Sequence, residues 1–82
     1  MTTLLNSTLA RAARHGCAIH YVDAGHYEIY SSVRANDVVH KRIRIVTLKQ
    51  LHDKSVLDGI CRGIRLDVLE DAVKALRDEL SG

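Results

Sequence analysis

The chain of 82 residues contains no Phe, Trp or Pro, and it has only three Tyr, two Cys and five Gly. Without Phe and Trp its core must be built from Leu, Ile, Val and Ala with help from Tyr, and such a core is small. No apolar run approaches the roughly 18 residues that a membrane-spanning helix needs, so we expect no membrane partner. The first residues also lack the pattern of a signal peptide, which favours a cytoplasmic location.

The cysteines and glycines exclude several kinds of site. Cys17 and Cys61 match neither a disulfide framework nor a zinc-binding spacing, so we expect two small buried thiols, no metal and no cofactor. Ser31 and Ser32 lie in no nucleophile elbow, and the isolated glycines form no phosphate loop.

The formal net charge of +2 neither requires nor excludes a polyanionic partner, because the distribution of charge matters more than its total.

Hydrophobic periodicity places helices at both ends of the chain. Three- and four-residue spacing of apolar residues predicts a first helix over 3–15, capped by Thr2 or Thr3 and ended by Gly16. Towards the other end, Asp53 or Ser55 is expected to cap a second helix that Gly63 ends. A third helix is predicted to begin near Asp67, with its apolar residues at Leu69, Val73, Leu76 and Leu80.

The middle of the chain is rich in strand-forming residues. Segments 17–23, 26–33 and 38–48 are separated by turn-prone residues at 24–25 and 34–37. Such short turns favour an antiparallel meander. The sequence therefore predicts a single α+β domain over 1–82, of order α-β-β-β-α-α, with a three-stranded antiparallel sheet and helices packed on one face.

Alternation along each strand divides the side chains between two faces of this sheet. The face expected to form the core carries Cys17, Ile19, Tyr21, Tyr27, Ile29, Val33, Ile43 and Ile45. The face expected to meet solvent carries His20, His26, Glu28, Tyr30, His40, Arg42 and Arg44. A shift by one residue would bury both arginines, so the third strand is expected to keep this orientation.

The polar face is the main candidate site. Arginines bind phosphates, a tyrosine can stack on a base, and a histidine can transfer a proton near neutral pH. The predicted RNA- or partner-binding residues are His20, Tyr30, His40, Arg42 and Arg44. The alternative is that these side chains are the ordinary polar face that an open antiparallel sheet presents to water.

Three segments resemble the HicA toxins, the YcfA-like mRNA interferases of toxin–antitoxin modules. Residues 24–30 (AGHYEIY) stand where that family opens its second strand, 44–48 (RIVTL) match the end of its basic strand, and 55–60 (SVLDGI) match the start of its next helix. Aligned without a gap, Tyr27 takes the place of the catalytic histidine of the family. A shift by one residue gives that place to His26.

The resemblance implies a fold like that of the double-stranded-RNA-binding domain and an RNA partner. It also implies metal-independent ribonuclease activity, with His26 as general acid or base and Arg42 and Arg44 holding the phosphate. A different class stays open: a non-enzymatic inhibitor of the anti-CRISPR kind, encoded by a phage or mobile element, that blocks a host protein or complex. A homodimer through the last helix is a third interpretation.

Overall fold

The computed structural model describes residues 6–81. Its elements are α1 Asn6–Arg14, β1 Ala18–Asp23, β2 His26–Ala35, β3 Val38–Thr47, α2 Leu48–His52 and α3 Lys54–Ser81. The strands form one antiparallel sheet in the order β1-β2-β3, with the helices against one face, which confirms the predicted α+β fold. Residues 3–5 of the predicted first helix, and its caps Thr2 and Thr3, lie outside the described residues. Within residues 6–81 no helix is both long and apolar enough to cross a membrane.

The turns follow the predicted chemistry. Gly16 ends α1 with a φ of 74°, and Gly25 closes the β1–β2 turn with a φ of 92°, conformations that glycine adopts without a Cβ clash. Asn36 and Asp37 form the β2–β3 turn with φ values of 55° and 61°. Asn and Asp tolerate this left-handed region better than other non-glycine residues, which allows a tight two-residue turn there.

Side-chain caps separate α2 from α3. Thr47 caps α2 in a capping box with Gln50, at a position where the sequence predicts no helix. The Asp53 carboxylate accepts hydrogen bonds from the backbone N–H groups of Ser55 and Val56 at 3.1 and 3.2 Å, which confirms Asp53 as the cap of the next helix.

The predicted break at Gly63 is wrong, because α3 is one helix of 28 residues. A glycine inside a helix costs only about 1 kcal/mol relative to alanine. On either side of Gly63, Ile60, Ile64 and Val68 are buried against the sheet. Burial of three such side chains outweighs that cost, so tertiary packing carries the helix through the glycine.

The core lies between α3 and the middle of the sheet. Ile29 and Val46 on the strands and Leu57 on α3 are almost fully buried. Cys17 and Cys61 are free, buried thiols, as predicted, and the Cys17 Sγ lies 3.4 Å from the Cys61 carbonyl oxygen. Burial raises the pKa of Cys61 to about 12, so the neutral thiol is the form that packs in the core.

The predicted orientation of the third strand is wrong. In β2–β3 pairing, Arg44 lies opposite Ile29 and Arg42 lies opposite Ser31, and paired residues of an antiparallel sheet share a face. Arg42 and Arg44 are therefore on the helix side, while Ile43 and Ile45 are on the other side, 50% and 53% exposed. Because β3 is an edge strand, its arginines reach solvent beside α3 without being buried.

This arrangement predicts that truncating one of two isoleucines on neighbouring strands costs much more stability than truncating the other. Ile29→Ala should lower the free energy of unfolding by about 3 kcal/mol or more, because it leaves a cavity in the core. Ile43→Ala should cost less than about 1 kcal/mol, because the side chain is half exposed. Urea unfolding of the two variants measures both values. Equal losses would contradict the placement of Ile43 outside the core.

Candidate functional site

The structure divides the predicted site residues between the two faces of the sheet. His20 and Tyr30 lie on the open sheet face, which is the side without helices, and we define it by these residues: His20, His26, Glu28, Tyr30, Arg34, Val39, Lys41, Ile43 and Ile45. His40, Arg42 and Arg44 lie on the helix side. The set therefore does not form one surface.

Tyr30 is the centre of a small polar cluster on the open sheet face. Its hydroxyl lies 3.2 Å from the His20 Nε2, and the two rings are 4.6 Å apart. The Lys41 ammonium lies 4.4 Å from the centre of the Tyr30 ring, within range of a cation–π interaction. A base could stack on Tyr30 only by displacing one of these neighbours, and the exposed Ile43 and Ile45 continue the same face.

His26, the predicted catalytic residue, lies at the β1–β2 turn. Its Nδ1 is 2.7 Å from an Asp23 carboxylate oxygen, and both side chains are more than half exposed. A carboxylate in this position orients the imidazole ring, as it does in many proton-transfer sites. However, the arginines predicted to hold the phosphate, Arg42 and Arg44, project from the opposite face. The grouping expected for a ribonuclease is not assembled around His26.

Arg42 is occupied by a contact within the fold. Its Nε and Nη2 donate to the two carboxylate oxygens of Asp71 on α3 at 2.6 and 2.9 Å. The hydrogen bond from Arg42 lowers the pKa of Asp71, and the carboxylate in turn raises the pKa of Arg42. Nearby, the His40 Nε2 is buried and has no hydrogen-bond partner among the described residues. Arg42 thus links the edge strand to α3, and its guanidinium group is already bonded to a carboxylate.

An open cleft of about 540 Å³ lies between α1 and α3, and its arginines are not among the site residues predicted from the sequence. It is lined by Ala13, Arg14, His15, Gly16, Arg62, Arg65 and Leu66, and we call it the arginine cleft. Among the described residues, no Asp or Glu lines it. Within residues 6–81, Arg14 and Arg62 make no side-chain hydrogen bond or ion pair, so both guanidinium groups are available to a ligand.

Hydrogen bonds to β2 hold the Arg65 guanidinium group in this cleft. Its Nη1 donates to the Ser31 hydroxyl at 3.1 Å and to the Ser32 carbonyl at 3.3 Å, and the Ser31 hydroxyl donates to the Gly16 carbonyl at 2.8 Å. A Cβ at Gly16 would lie only 3.0 Å from the Arg65 Nε. The glycine therefore gives both the positive φ that ends α1 and the space that Arg65 occupies.

Asp58 neutralises the neighbouring basic groups and fixes α1 to α3. Its two carboxylate oxygens lie 3.1 Å from the Arg11 Nη1 and 3.2 Å from the His15 Nε2. Arg11 and Arg14 also line a second cleft of about 230 Å³, together with His52 and Lys54. Because Arg14 belongs to both clefts, they form neighbouring parts of one basic surface.

Charge is distributed very unevenly along the helices. The segments 6–16 and 48–65, which we call the basic helical end, carry six Lys and Arg but only two Asp. The last part of α3, residues 66–81, carries five Asp and Glu but only two Lys and Arg. The overall charge of +2 therefore conceals two helical regions of opposite sign, and this imbalance was the sequence signal that could have identified the basic surface.

The described residues contain no group of three His, Cys, Asp or Glu side chains placed to hold a metal ion. Comparison with known proteins finds no family model that matches this chain, no similar curated protein and no similar solved structure. The chemistry of the site must therefore be inferred from its geometry.

The ion pair between Arg42 and Asp71 should give the fold a specific pH dependence. Since the pKa of Asp71 is lowered in the folded state, the pair stabilises the protein fully above the ordinary pKa of about 4 and loses this effect as the pH falls through the lowered value. Asp71→Asn should therefore be less stable than wild type at about pH 7, and the difference should disappear near pH 2. Urea unfolding at both pH values measures it.

Asp78→Asn is the matched control, because Asp78 lies on the same helix and makes no ion pair among the described residues. A loss of stability at Asp71 that persists unchanged at low pH, or that Asp78→Asn reproduces, would show that the pair with Arg42 is not its cause.

Proposed function

We propose that this protein binds RNA through the arginine cleft and the basic helical end around it. The observation that carries this proposal is the convergence of Arg14, Arg62 and Arg65 on one cleft that no Asp or Glu of residues 6–81 lines. The planar guanidinium group donates two parallel hydrogen bonds to a phosphate, which makes arginine the preferred residue for such contacts. A nucleic acid carries one phosphate per nucleotide, so the two neighbouring basic clefts can bind different phosphates of one strand.

The positions of the three arginines support a preformed site. Arg65 is oriented by Ser31 and the Ser32 carbonyl before any ligand arrives, so little side-chain entropy is lost on binding there. Arg14 and Arg62 stand on either wall of the cleft. A phosphate between them can be held by one fixed and two adaptable guanidinium groups.

The resemblance of three segments to the HicA toxins also implies an RNA partner. In this proposal the RNA contact moves from the predicted sheet face to the helix side. Cleavage is a separate proposal that depends on His26, with Asp23 orienting its ring. Binding by the arginine cleft does not require it.

Arg62→Ala tests the RNA proposal. Fluorescence anisotropy with short single- and double-stranded RNA, repeated over a range of salt concentrations, should show weaker binding at every concentration. The slope of log affinity against log salt should fall by about one, since one phosphate contact is lost. Lys74→Ala removes a cation from the acidic part of α3 and should leave both quantities unchanged.

Two results would contradict RNA binding: no detectable affinity at low salt, or equal losses in Arg62→Ala and Lys74→Ala. The same RNA samples, incubated with a chelator, test cleavage. Wild type should then cut the RNA and His26→Ala should not, and activity that is equal or absent in both proteins removes the catalytic part of the proposal.

A second candidate function is binding of a host protein, as a non-enzymatic inhibitor. The observation in its favour is the exposed apolar set on β3, where Val39, Ile43 and Ile45 share the open sheet face and each is at least half exposed. Exposed apolar patches bordered by polar residues are typical of protein interfaces. Arg34, Lys41 and Glu28 border this patch, so the matching partner would have an apolar surface flanked by charges of both signs.

Ile43→Lys distinguishes this function from RNA binding. If the open sheet face binds a protein, a pull-down from host lysate treated with ribonuclease should retain one partner with wild type and with Arg62→Ala, and lose it with Ile43→Lys. Apolar contacts should also make that capture only weakly dependent on salt. Loss of the partner on ribonuclease treatment would instead identify RNA as the link.

A further inference from the structure

The last part of α3 carries an apolar stripe that the fold does not use. Leu69, Val73, Leu76 and Leu80 are between 37% and 89% exposed. The buried residues of α3 end with Ala72, and they lie on another side of the helix. Three leucines and a valine of this helix therefore face solvent, on a molecule that is 50 Å long but only 23 Å wide.

The spacing of these residues is that of a helix-pairing surface. They are separated by four, three and four residues, which is the alternation of a coiled-coil seam with a mean period of 3.5. A seam of this kind needs another helix beside it, because a lone helix has no partner side chains for it. Within residues 6–81 no other helix covers the stripe, since all four side chains remain exposed.

The charges beside the stripe identify its partner. Glu70 and Arg77 border the same edge of the stripe, about two turns apart. If a second copy of this helix lies alongside in the opposite direction, Glu70 of each copy faces Arg77 of the other. Neither side chain makes an ion pair with another described residue, so both are free to do so.

We propose that two copies of this chain associate through antiparallel pairing of the ends of their α3 helices. The two-fold axis would pass between residues 74 and 75, so that Val73 packs on Leu76 of the second copy and Leu69 packs on Leu80. This register places the two sheets at opposite ends of the pair, where they cannot collide. It depends on neither proposed function.

A parallel pair fits less well. It would place Arg77 opposite Ala72, leaving the arginine without a carboxylate, and it would bring Arg65 opposite Glu70. Arg65 is already bonded to Ser31 and to the Ser32 carbonyl. Only the antiparallel pair gives Arg77 a carboxylate partner, and it leaves Arg65 in the arginine cleft.

Four apolar residues per copy form a small interface, well below the roughly 800 Å² per partner of a standard complex. The association should therefore be reversible, with a dissociation constant on the order of micromolar. Its strength should respond to the charges at the edge of the stripe.

Sedimentation velocity of the full chain over a concentration series tests the pairing. Wild type should shift from monomer to dimer. Arg77→Glu should raise the dissociation constant about tenfold, because a carboxylate then faces Glu70 of the second copy. Glu70→Arg combined with Arg77→Glu should restore it. Asp78→Arg, a charge change on the other side of the same helix, should have little effect.

A chain that stays monomeric at all concentrations would overturn the dimer. A dimer whose dissociation constant Arg77→Glu does not change would overturn the antiparallel arrangement, since a parallel pair leaves Arg77 opposite Ala72. All these substitutions are on the surface of α3, and circular dichroism would show that each variant keeps its helix content.

Discussion

The packing of α3 across the sheet is the contact on which the rest of the molecule depends. Leu57, Cys61 and Val68 on this helix lie over the strand that carries Ile29, and all four side chains are at most 1% exposed. Without Phe or Trp, the core is thin and consists of aliphatic side chains, two thiols and the ring of Tyr27. The other features depend on its position: α3 forms one wall of the arginine cleft, pairs with Arg42 of β3 and carries the exposed apolar stripe.

The same helix separates three kinds of surface along its length. Its first half is basic and faces the end of α1, one side of it from Leu57 to Ala72 is buried, and its last part is acidic on one side and apolar on another. Ion pairs fix the first half to α1 through Asp58 and Arg11, and the last part to β3 through Asp71 and Arg42. Because each region of α3 has different neighbours, its apolar residues lie on more than one side of the helix. The helix therefore has no single amphipathic pattern.

The sequence predicts features set by local chemistry better than features set by contacts between distant residues. The turns at Gly16 and Gly25 and the cap at Asp53 depend on local chemistry, and they were predicted correctly. The alternation of Arg42 and Ile43 showed that β3 has two different faces but not which face the helices cover, because that depends on packing distant in sequence. The arginine cleft escaped notice for the same reason, since α1 contributes Arg14 and α3 contributes Arg62.

The opposite charges of the two helical regions give the molecule an electric dipole, although its net charge is only +2. In the field of a polyanion such a molecule turns before it makes contact, with its basic end leading and its acidic end trailing. Collisions in the productive orientation then become more frequent than chance allows, and added salt removes the advantage. If RNA is the partner, as proposed, the acidic part of α3 contributes to the rate of encounter at a surface that it does not touch.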